Sequence, residues 1–317
     1  MNLQRIMTVV SGDLNGVRRQ NINLLFLFLM LKLTCNFQLS SNTVLYTTDW
    51  RNNGVRVYTY HISPALWSTS GSAIGRIGVV AHETGHFLEL PDLYDYGAGS
   101  GIGSWGLMAN SWGFDGSQYY PPLMSAWSKK VLGWVSPTVV STSGSYSIGQ
   151  SCDNDDMIRI DLGFPSGQYL LIENRQPCSF DSRVPQGGLA IFYIDDNANN
   201  NRGYPGQSGW PGNRNHYEVA LLQADGNYNL ERGSGRGDSG DLFHGGAVNS
   251  IGPDGTSSGD LYPNTKPYEV DDHDIDLTIS DISAAGSTMT LTISFGNVVT
   301  PSPIPITPVP TASPIII

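Results

Sequence analysis

Two histidines and a glutamate stand close together in the segment His82-Glu83-Thr84-Gly85-His86. Residues four positions apart lie on one face of an α-helix, so His82 and His86 can present two imidazole nitrogens to one metal ion. Glu83 can then reach a water molecule at an open position of that ion. The spacing predicts a zinc site in which Glu83 is the general base of a hydrolytic reaction. The alternative is a surface helix that carries two unrelated histidines.

The flanking residues predict the helix that this arrangement needs. Apolar side chains recur at spacings of three and four residues, which indicates one buried stripe. Pro91 disfavours continuation of the helix beyond Leu90. The predicted stripe consists of Ile74, Ile77, Val80, Ala81, Thr84 and Leu88.

A catalytic zinc ion usually takes three protein ligands and leaves its fourth position for water. A glutamate on a second helix can supply the third ligand in some zinc peptidases, but no glutamate occurs between Glu89 and Glu173. Asp92, six residues after His86, can return to the ion if the chain turns sharply, and we predict it as the third ligand. An ordinary turn aspartate after Pro91 is the alternative. Glu89 ranks below Asp92 as a ligand, and its simplest interpretation is solvent exposure.

Six segments of the sequence share one family likeness. They are HETGHFLELPDLYD (82–95), GIGSWGLM (101–108), PPLMSAWSKKVLGW (121–134), YLLIENRQ (169–176), GGLAI (187–191) and QADG (223–226). In these segments the sequence resembles the immune inhibitor A family of secreted metallopeptidases. The resemblance extends over roughly residues 44–250 and is most specific between 79 and 134.

The resemblance implies a zincin with a metzincin-like ligand order. In such an enzyme His82, His86 and Asp92 hold zinc, and Glu83 is the general base and acid. Met108 would then be the methionine of a turn beneath the metal, which makes no bond to the ion. Plain filling of a hydrophobic core is the alternative for Met108.

The sequence departs from the family pattern in two places. Glu89 stands where metzincin-type motifs carry glycine, and a side chain in a left-handed turn costs about 1 kcal/mol. In addition, only residues 44–72 precede the helix as material for an upper subdomain, which predicts a truncated one. Alternating residues at 44–46 and 55–62, with Asn53-Gly54 between them, predict a hairpin or two adjacent strands there.

The chain divides into four predicted parts. Residues 1–43 hold an apolar run from Leu24 to Leu31 after two arginines, which is either a signal-like segment or a misassigned extension. Residues 44–135 form the zincin core, and residues 136–297 form a β-rich region. Residues 298–317 are a Pro- and Thr-rich linker or tail. A missing propeptide or downstream module is compatible with these ends.

Short strand-like runs separated by Gly, Asn, Asp and Pro fill the β-rich region. They predict a mostly antiparallel, β-sandwich-like arrangement, so that the whole chain is of the α+β class. A helix around Trp127 precedes them, with its start marked by Pro121-Pro122. The runs lie at 145–148, 157–160, 169–172, 189–194, 217–222, 275–279 and 289–293.

Composition indicates an exported protein that does not bind nucleic acid. The formal net charge is −11, only 14% of residues are charged and 37 are glycine. An acidic chain is repelled by nucleic acid and by anionic membranes. We expect protein or peptide substrates, no stable membrane span, a monomer, and a secreted location with or without attachment to the cell surface.

Cys152 and Cys178 form either a disulfide worth about 3 kcal/mol or two buried thiols.

Acidic loops in the β-rich region suggest a calcium site, because calcium prefers six to eight oxygen ligands. The run that begins at Asp225 starts like a helix-loop-helix calcium loop but lacks its turn glycine and closing glutamate. Solvated turns are the alternative. The candidate ligands are Asp195, Asp196, Asp225, Asn227, Asn229, Asp238 and Asp241.

The sequence as a whole predicts a secreted zinc-dependent endopeptidase that hydrolyses extracellular proteins. The alternative is a catalytically silent secreted fragment, or a β-sandwich module that binds calcium or sugar. Tyr94, Tyr120 and His216 are candidates for stabilising the oxyanion, each with a simpler structural role. The pattern does not predict cleavage specificity.

Overall fold

The computed structural model describes residues 73–97, 99–198, 203–205, 207–212, 215–268 and 276–296, and the backbone of five short strands between residues 29 and 64. Apart from the strand at Leu29–Leu31, the predicted N-terminal segment up to residue 42 lies outside the described residues. The predicted tail 298–317 and the Asn53-Gly54 turn also lie outside them.

Two α-helices are described, α1 at Ile77–Phe87 and α2 at Ala126–Val131, with 3₁₀ turns at Gly103–Trp105 and Ser179–Arg183. The strands are β1 (Leu29–Leu31), β2 (Thr43–Leu45), β3 (Arg51–Asn52), β4 (Val55–Arg56), β5 (Thr59–Pro64), β6 (Thr138–Val139), β7 (Gly144–Gly149), β8 (Ile158–Ile160), β9 (Gln168–Arg175), β10 (Gly188–Asp195), β11 (Val219–Leu221), β12 (Ile251–Gly252), β13 (Gly255–Thr256), β14 (Asp276–Ser280) and β15 (Thr288–Gly296).

The predicted α+β class is confirmed, with mostly antiparallel sheets and few helices. All seven predicted runs of the β-rich region overlap observed strands, because alternation and turn residues mark short strands well. The metzincin-like character of the core remains a prediction. Helix α2 begins at Ala126, four residues after Pro122, because Ser125 caps it by accepting a hydrogen bond from the Ser128 amide.

Two five-stranded sheets face each other in the β-rich region. The central sheet has the strand order β11-β10-β9-β8-β6, and the outer sheet has the order β13-β12-β14-β15-β7. Apolar side chains from both sheets interdigitate in one core, including Ile172 and Ile191 of the central sheet and Ile279 and Ile293 of the outer sheet. This packing is a β-sandwich.

The second face of the central sheet is buried as well, since every residue of β9 and β10 is buried. Leu171 and Phe192 on this face pack in a second core with Trp105, Met108 and other residues N-terminal to the sandwich. The central sheet is therefore the middle layer of three. The segment 102–108 lies directly on it, and we refer to this segment as the floor.

The short strands before α1 pair as the sequence suggested. Strands β3 and β4 are antiparallel with Asn52 opposite Val55, which leaves two residues between them for the turn. Strand β5 pairs antiparallel with β2 and parallel with β1.

Cys152 and Cys178 are joined by a disulfide across 26 residues of chain. Within the described part of the chain, none of the helices has the length and apolarity that a bilayer crossing requires.

Candidate metal centre

Helix α1 is docked through small residues, and the predicted apolar stripe is wrong in this respect. Ile74 and Ile77 are 72% and 52% exposed. The buried residues of α1 are Gly78, His82, Glu83 and Gly85. A methyl group added at Gly85 would lie 2.3 Å from Met108 Sδ, and one at Gly78 would lie 2.2 Å from the Ser111 carbonyl oxygen. Gly85 lies too close to the floor, and Gly78 too close to Ser111, for a side chain at either position, so α1 packs through its glycines.

The chain reverses at the end of α1 in a Schellman motif. The Leu90 amide donates to the Gly85 carbonyl, and the Glu89 amide donates to the His86 carbonyl. Glu89 is exposed and occupies the left-handed position with φ 67°. The substitution of glutamate for the usual glycine therefore leaves the turn in place and puts the strain on Glu89 itself.

Backbone carbonyls orient both imidazoles. His82 Nδ1 lies 2.9 Å from the Leu107 carbonyl oxygen, and His86 Nδ1 lies 2.8 Å from that of Leu90. A carbonyl oxygen can only accept, so each Nδ1 carries the proton. Each Nε2 then has a lone pair available for a metal, and its ring is fixed in orientation.

Asp92 completes a cluster with these two nitrogens. Its Oδ1 lies 3.1 Å from His82 Nε2 and 3.1 Å from His86 Nε2. One ligand atom from each of the three residues lies within 4.8 Å of the others. Ligands about 2.1 Å from one tetrahedral ion are separated by about 3.4 Å, so these spacings suit a shared zinc ion.

The Asp92 carboxylate supports the same interpretation. Its Oδ1 is buried and has no hydrogen-bond partner among the described residues. With both Nε2 atoms unprotonated, three lone pairs face one another at this point, an arrangement that a bound cation would stabilise. The donor set of two neutral imidazoles and one carboxylate is one that zinc prefers, so the residues fit this metal.

Tyr96 and Tyr94 flank the cluster on its open side. Tyr96 Oη donates a 2.5 Å hydrogen bond to Asp92 Oδ2. The Tyr94 ring stacks 6.2 Å from that of His82. Burial opposes ionisation of Asp92, but contacts with His82, His86 and the tyrosines outweigh it and hold the pKa of its carboxyl well below the ordinary value. The Asp92 carboxyl is therefore ionised at neutral pH.

Glu83 lies on the buried side of α1 and is 6% exposed. Contacts with Asp92 raise the pKa of His86 despite burial, and the charge of Glu83 adds to this effect. The Glu83 carboxylate is thus close to the cluster without being one of its three members.

Met108 lies beneath α1 and is 1% exposed. Its amide and carbonyl are part of the floor, and the carbonyl accepts from the Leu93 amide just after Asp92. The floor therefore reaches the cluster at two points. The Met108 carbonyl binds the amide of Leu93, the neighbour of Asp92, and the Leu107 carbonyl binds His82. Sequence reasoning missed both contacts, because a backbone carbonyl carries no residue-type signal.

Two of the three oxyanion candidates, His216 and Tyr120, contact residues other than the three of the cluster. His216 is buried with Nε2 2.8 Å from Asp195 Oδ2. The ring of Tyr120 lies 4.6 Å below the guanidinium of Arg183. The third candidate, Tyr94, stacks on His82.

The predicted calcium ligands separate into two groups. Asp225, Asp238 and Asp241 come within 4.8 Å of one another. Asn227 and Asn229 donate hydrogen bonds to Asp225 and Asp238. By contrast, Asp195 and Asp196 do not join this cluster. Asp195 accepts hydrogen bonds from Gln168 and from the Asn197 amide, and Asp196 accepts one from the Tyr169 hydroxyl.

A cavity of about 600 Å³ opens beside the metal cluster. Its lining includes Tyr94, Asp95, Tyr96, Trp210 and Asn215. The cavity and the cluster share two neighbours, because Tyr96 donates to Asp92 and Tyr94 stacks on His82.

Residues 33–135 match the family model for the catalytic domain of the immune inhibitor A peptidase, M6. The predicted family is confirmed over this segment. It covers about a third of the 317 residues and contains the whole of the His82, His86 and Asp92 cluster. The immune inhibitor A segment ends just before β6, so the sandwich lies outside the match. A comparison with curated proteins found no match.

Proposed function

We propose that this chain is a secreted, zinc-dependent endopeptidase. Its metallopeptidase character comes from the immune inhibitor A match. The observation that carries the assignment of zinc is the Asp92 Oδ1 atom, which is buried and placed 3.1 Å from two imidazole nitrogens whose protons are directed away from it. Export agrees with the disulfide and with the acidic, glycine-rich composition.

His82, His86 and Asp92 would hold the ion. A zinc ion in such a site acidifies water and polarises a peptide carbonyl. Glu83 would take a proton from the water molecule that attacks the peptide carbonyl and would return it to the amine that leaves. The cavity lined by Tyr94 and Trp210 would receive part of an extended peptide. Extracellular proteins and peptides are the proposed substrates, and the proposed acting species is a monomer.

The test compares casein hydrolysis and bound zinc in three chains: wild type, Glu83→Gln and Glu89→Gln. Glu89→Gln makes the same chemical change at an exposed position seven residues from His82 and serves as the matched control. We expect about one zinc per chain in all three, and a loss of activity of about 10²- to 10⁴-fold in Glu83→Gln alone. Equal activity in Glu83→Gln would refute the role of Glu83. Zinc without hydrolysis in wild type would indicate the catalytically silent alternative.

The acidic cluster in the β-rich region is proposed as a calcium site. Asp241 is 1% exposed, and its Oδ1 lacks a hydrogen-bond partner among the described residues although Asp225 and Asp238 lie nearby. Saturating calcium should raise the Tm of wild type by about 5 to 10 °C and that of Asp238→Asn by much less. Asp254→Asn, at an exposed position, is the control and should respond like wild type. Equal responses in Asp238→Asn and wild type would rule the site out.

A further inference from the structure

The family match ends at residue 135, yet the floor that supports the metal cluster is attached to a buried arginine beyond it. Arg175 is the last residue of β9 in the central sheet and is fully buried. Its sequence neighbourhood, 169–176, resembles the immune inhibitor A family but has no part in the proposed chemistry. The guanidinium points to the layer that carries α1 and the floor.

Arg175 contacts the floor directly. Its Nη1 donates a 3.1 Å hydrogen bond to the Trp105 carbonyl oxygen. Trp105 stands two residues before Leu107, whose carbonyl accepts from His82 Nδ1. The Arg175 guanidinium therefore holds the backbone at Trp105, two residues before the Leu107 carbonyl that orients His82.

A second chain of polar contacts, through Asp181 and Leu123, also connects Arg175 with Leu107. Arg175 Nη2 forms an ion pair of 2.6 Å with Asp181 Oδ2. Asp181 Oδ1 accepts from the Leu123 amide at 3.0 Å, and the Leu123 carbonyl accepts from the Leu107 amide at 3.2 Å. Leu107 is thus linked to Arg175 in two ways, along the backbone from Trp105 and through the hydrogen bonds of its own amide.

A buried arginine needs counter-charges, and the network supplies them. Arg175 Nη1 also lies 3.1 Å from Glu173 Oε1, and Lys129 pairs with the other oxygen of Glu173. Two carboxylates balance two cations among side chains that are almost fully buried. Breaking one member of such a group leaves an uncompensated buried charge, so the arrangement is rigid. The planar guanidinium contacts a carbonyl and two carboxylates at once, which an ammonium group does not do.

We propose that Arg175 is a positioning residue for the metal centre. It fixes the Leu107 carbonyl, which fixes the tautomer and ring direction of His82, so that His82 Nε2 faces the ion. Groups that orient a metal ligand affect metal affinity about 10- to 100-fold when they are lost. The sandwich region therefore takes part in metal binding although it supplies no ligand. This inference rests on the proposed zinc site.

The test measures zinc affinity by competition with a chelator, and the visible absorption of the cobalt-loaded protein, at a temperature where every variant is folded. The main variant is Arg175→Lys, which keeps the charge. Arg159→Lys is the matched control: it makes the same change on β8 of the same sheet, where the guanidinium stacks on Tyr169 and pairs with Asp161. Ile279→Ala, in the core between the central and outer sheets, controls for a general loss of stability.

We expect zinc binding about 10- to 100-fold weaker and an altered cobalt spectrum in Arg175→Lys. Arg159→Lys should match wild type in both measurements, and Ile279→Ala should lower Tm without changing either. A lowered Tm in Arg175→Lys together with wild-type zinc affinity and cobalt spectrum would overturn the inference. Asp181→Asn keeps an oxygen for the Leu123 amide but loses the ion pair, and it replaces Arg175→Lys in the same comparison if that chain does not fold. Absence of zinc in wild type would overturn the proposed function itself, and this inference with it.

Discussion

Glu89 shows how one residue can depart from a motif without abolishing its geometry. It accepts a left-handed conformation, φ 67°, so that the chain can turn from α1 toward Asp92. The turn is imposed by the two Schellman hydrogen bonds and by the burial of Leu90. The strain is tolerated because the Glu89 side chain is exposed and does not have to fit into a packed interior.

Replacement of Glu89 by glycine should stabilise the protein. The left-handed conformation destabilises the folded state by about 1 to 2 kcal/mol for a residue with a Cβ, and glycine avoids this strain. The greater conformational entropy of glycine in the unfolded chain offsets about 0.5 to 1 kcal/mol of that gain. We expect Glu89→Gly to raise the free energy of unfolding by up to about 1 kcal/mol, as measured by the midpoint of denaturant unfolding. Glu89→Ala keeps the strain and should show no gain. A glycine variant less stable than wild type would contradict this account.

At the scale of elements, the contact between α1 and the floor decides where the two histidines point. Gly85 touches the Met108 sulfur, and this contact replaces the apolar stripe that periodicity predicted. A hydrophobic pattern reports which residues prefer burial but not which face a neighbouring element can approach most closely. Here the close approach of backbones outweighed the apolar side chains of Ile74 and Ile77.

The element-scale prediction concerns Gly85→Ala. Its added methyl would overlap Met108 Sδ, so overpacking should cost about 1 to 3 kcal/mol. Removing the sulfur in the double variant Gly85→Ala/Met108→Ala should recover part of this cost, which gives a coupling energy of at least about 0.5 kcal/mol in a double-mutant cycle. The measurement is thermal unfolding in the presence of a chelator, so that metal binding does not contribute.

Gly235→Ala is the control for this cycle. A methyl group there meets nothing closer than 3.9 Å, and no loss of stability is expected. Strict additivity of Gly85→Ala and Met108→Ala would mean that the two residues are not in contact.

At the scale of the whole molecule, buried acids outside the metal cluster affect stability as pH changes. Glu231 lies in the loop between β11 and β12 and is 6% exposed. Burial raises its pKa from 4.5 to about 7, although the hydrogen bond from Gln223 acts in the opposite direction. Between these two values the folded state holds a proton that the unfolded chain has lost.

Stability should therefore fall as pH rises from about 4.5 to about 7, by up to about 3 kcal/mol from this group. The contribution is favourable below the lower value and is lost above the higher one. In Glu231→Gln the folded chain has no such proton to lose. The difference in unfolding free energy between this variant and wild type, followed from pH 4 to pH 8, should change by that amount in favour of the variant. A difference independent of pH would show that Glu231 ionises normally.

Much of the candidate site was predictable from the sequence, because the motif is local. His82, Glu83 and His86 share one helical turn, and Asp92 follows within ten residues of His82. The strands of the sandwich were predictable for the same reason, since alternation and turn residues act over a few positions. Arg175 and Asp181 were not, because the partners they need stand at Trp105 and Leu123 and no short-range pattern connects them.

The sequence by itself determined the residue types of the candidate metal site, their spacing, the family resemblance and the strand order along the chain. Only the tertiary structure decided that α1 packs through its glycines, that the imidazole protons go to the Leu90 and Leu107 carbonyls, and that both faces of the central sheet are buried. The physical reason is that helices and turns depend on neighbouring residues, whereas close packing and buried charge networks depend on which distant surfaces meet.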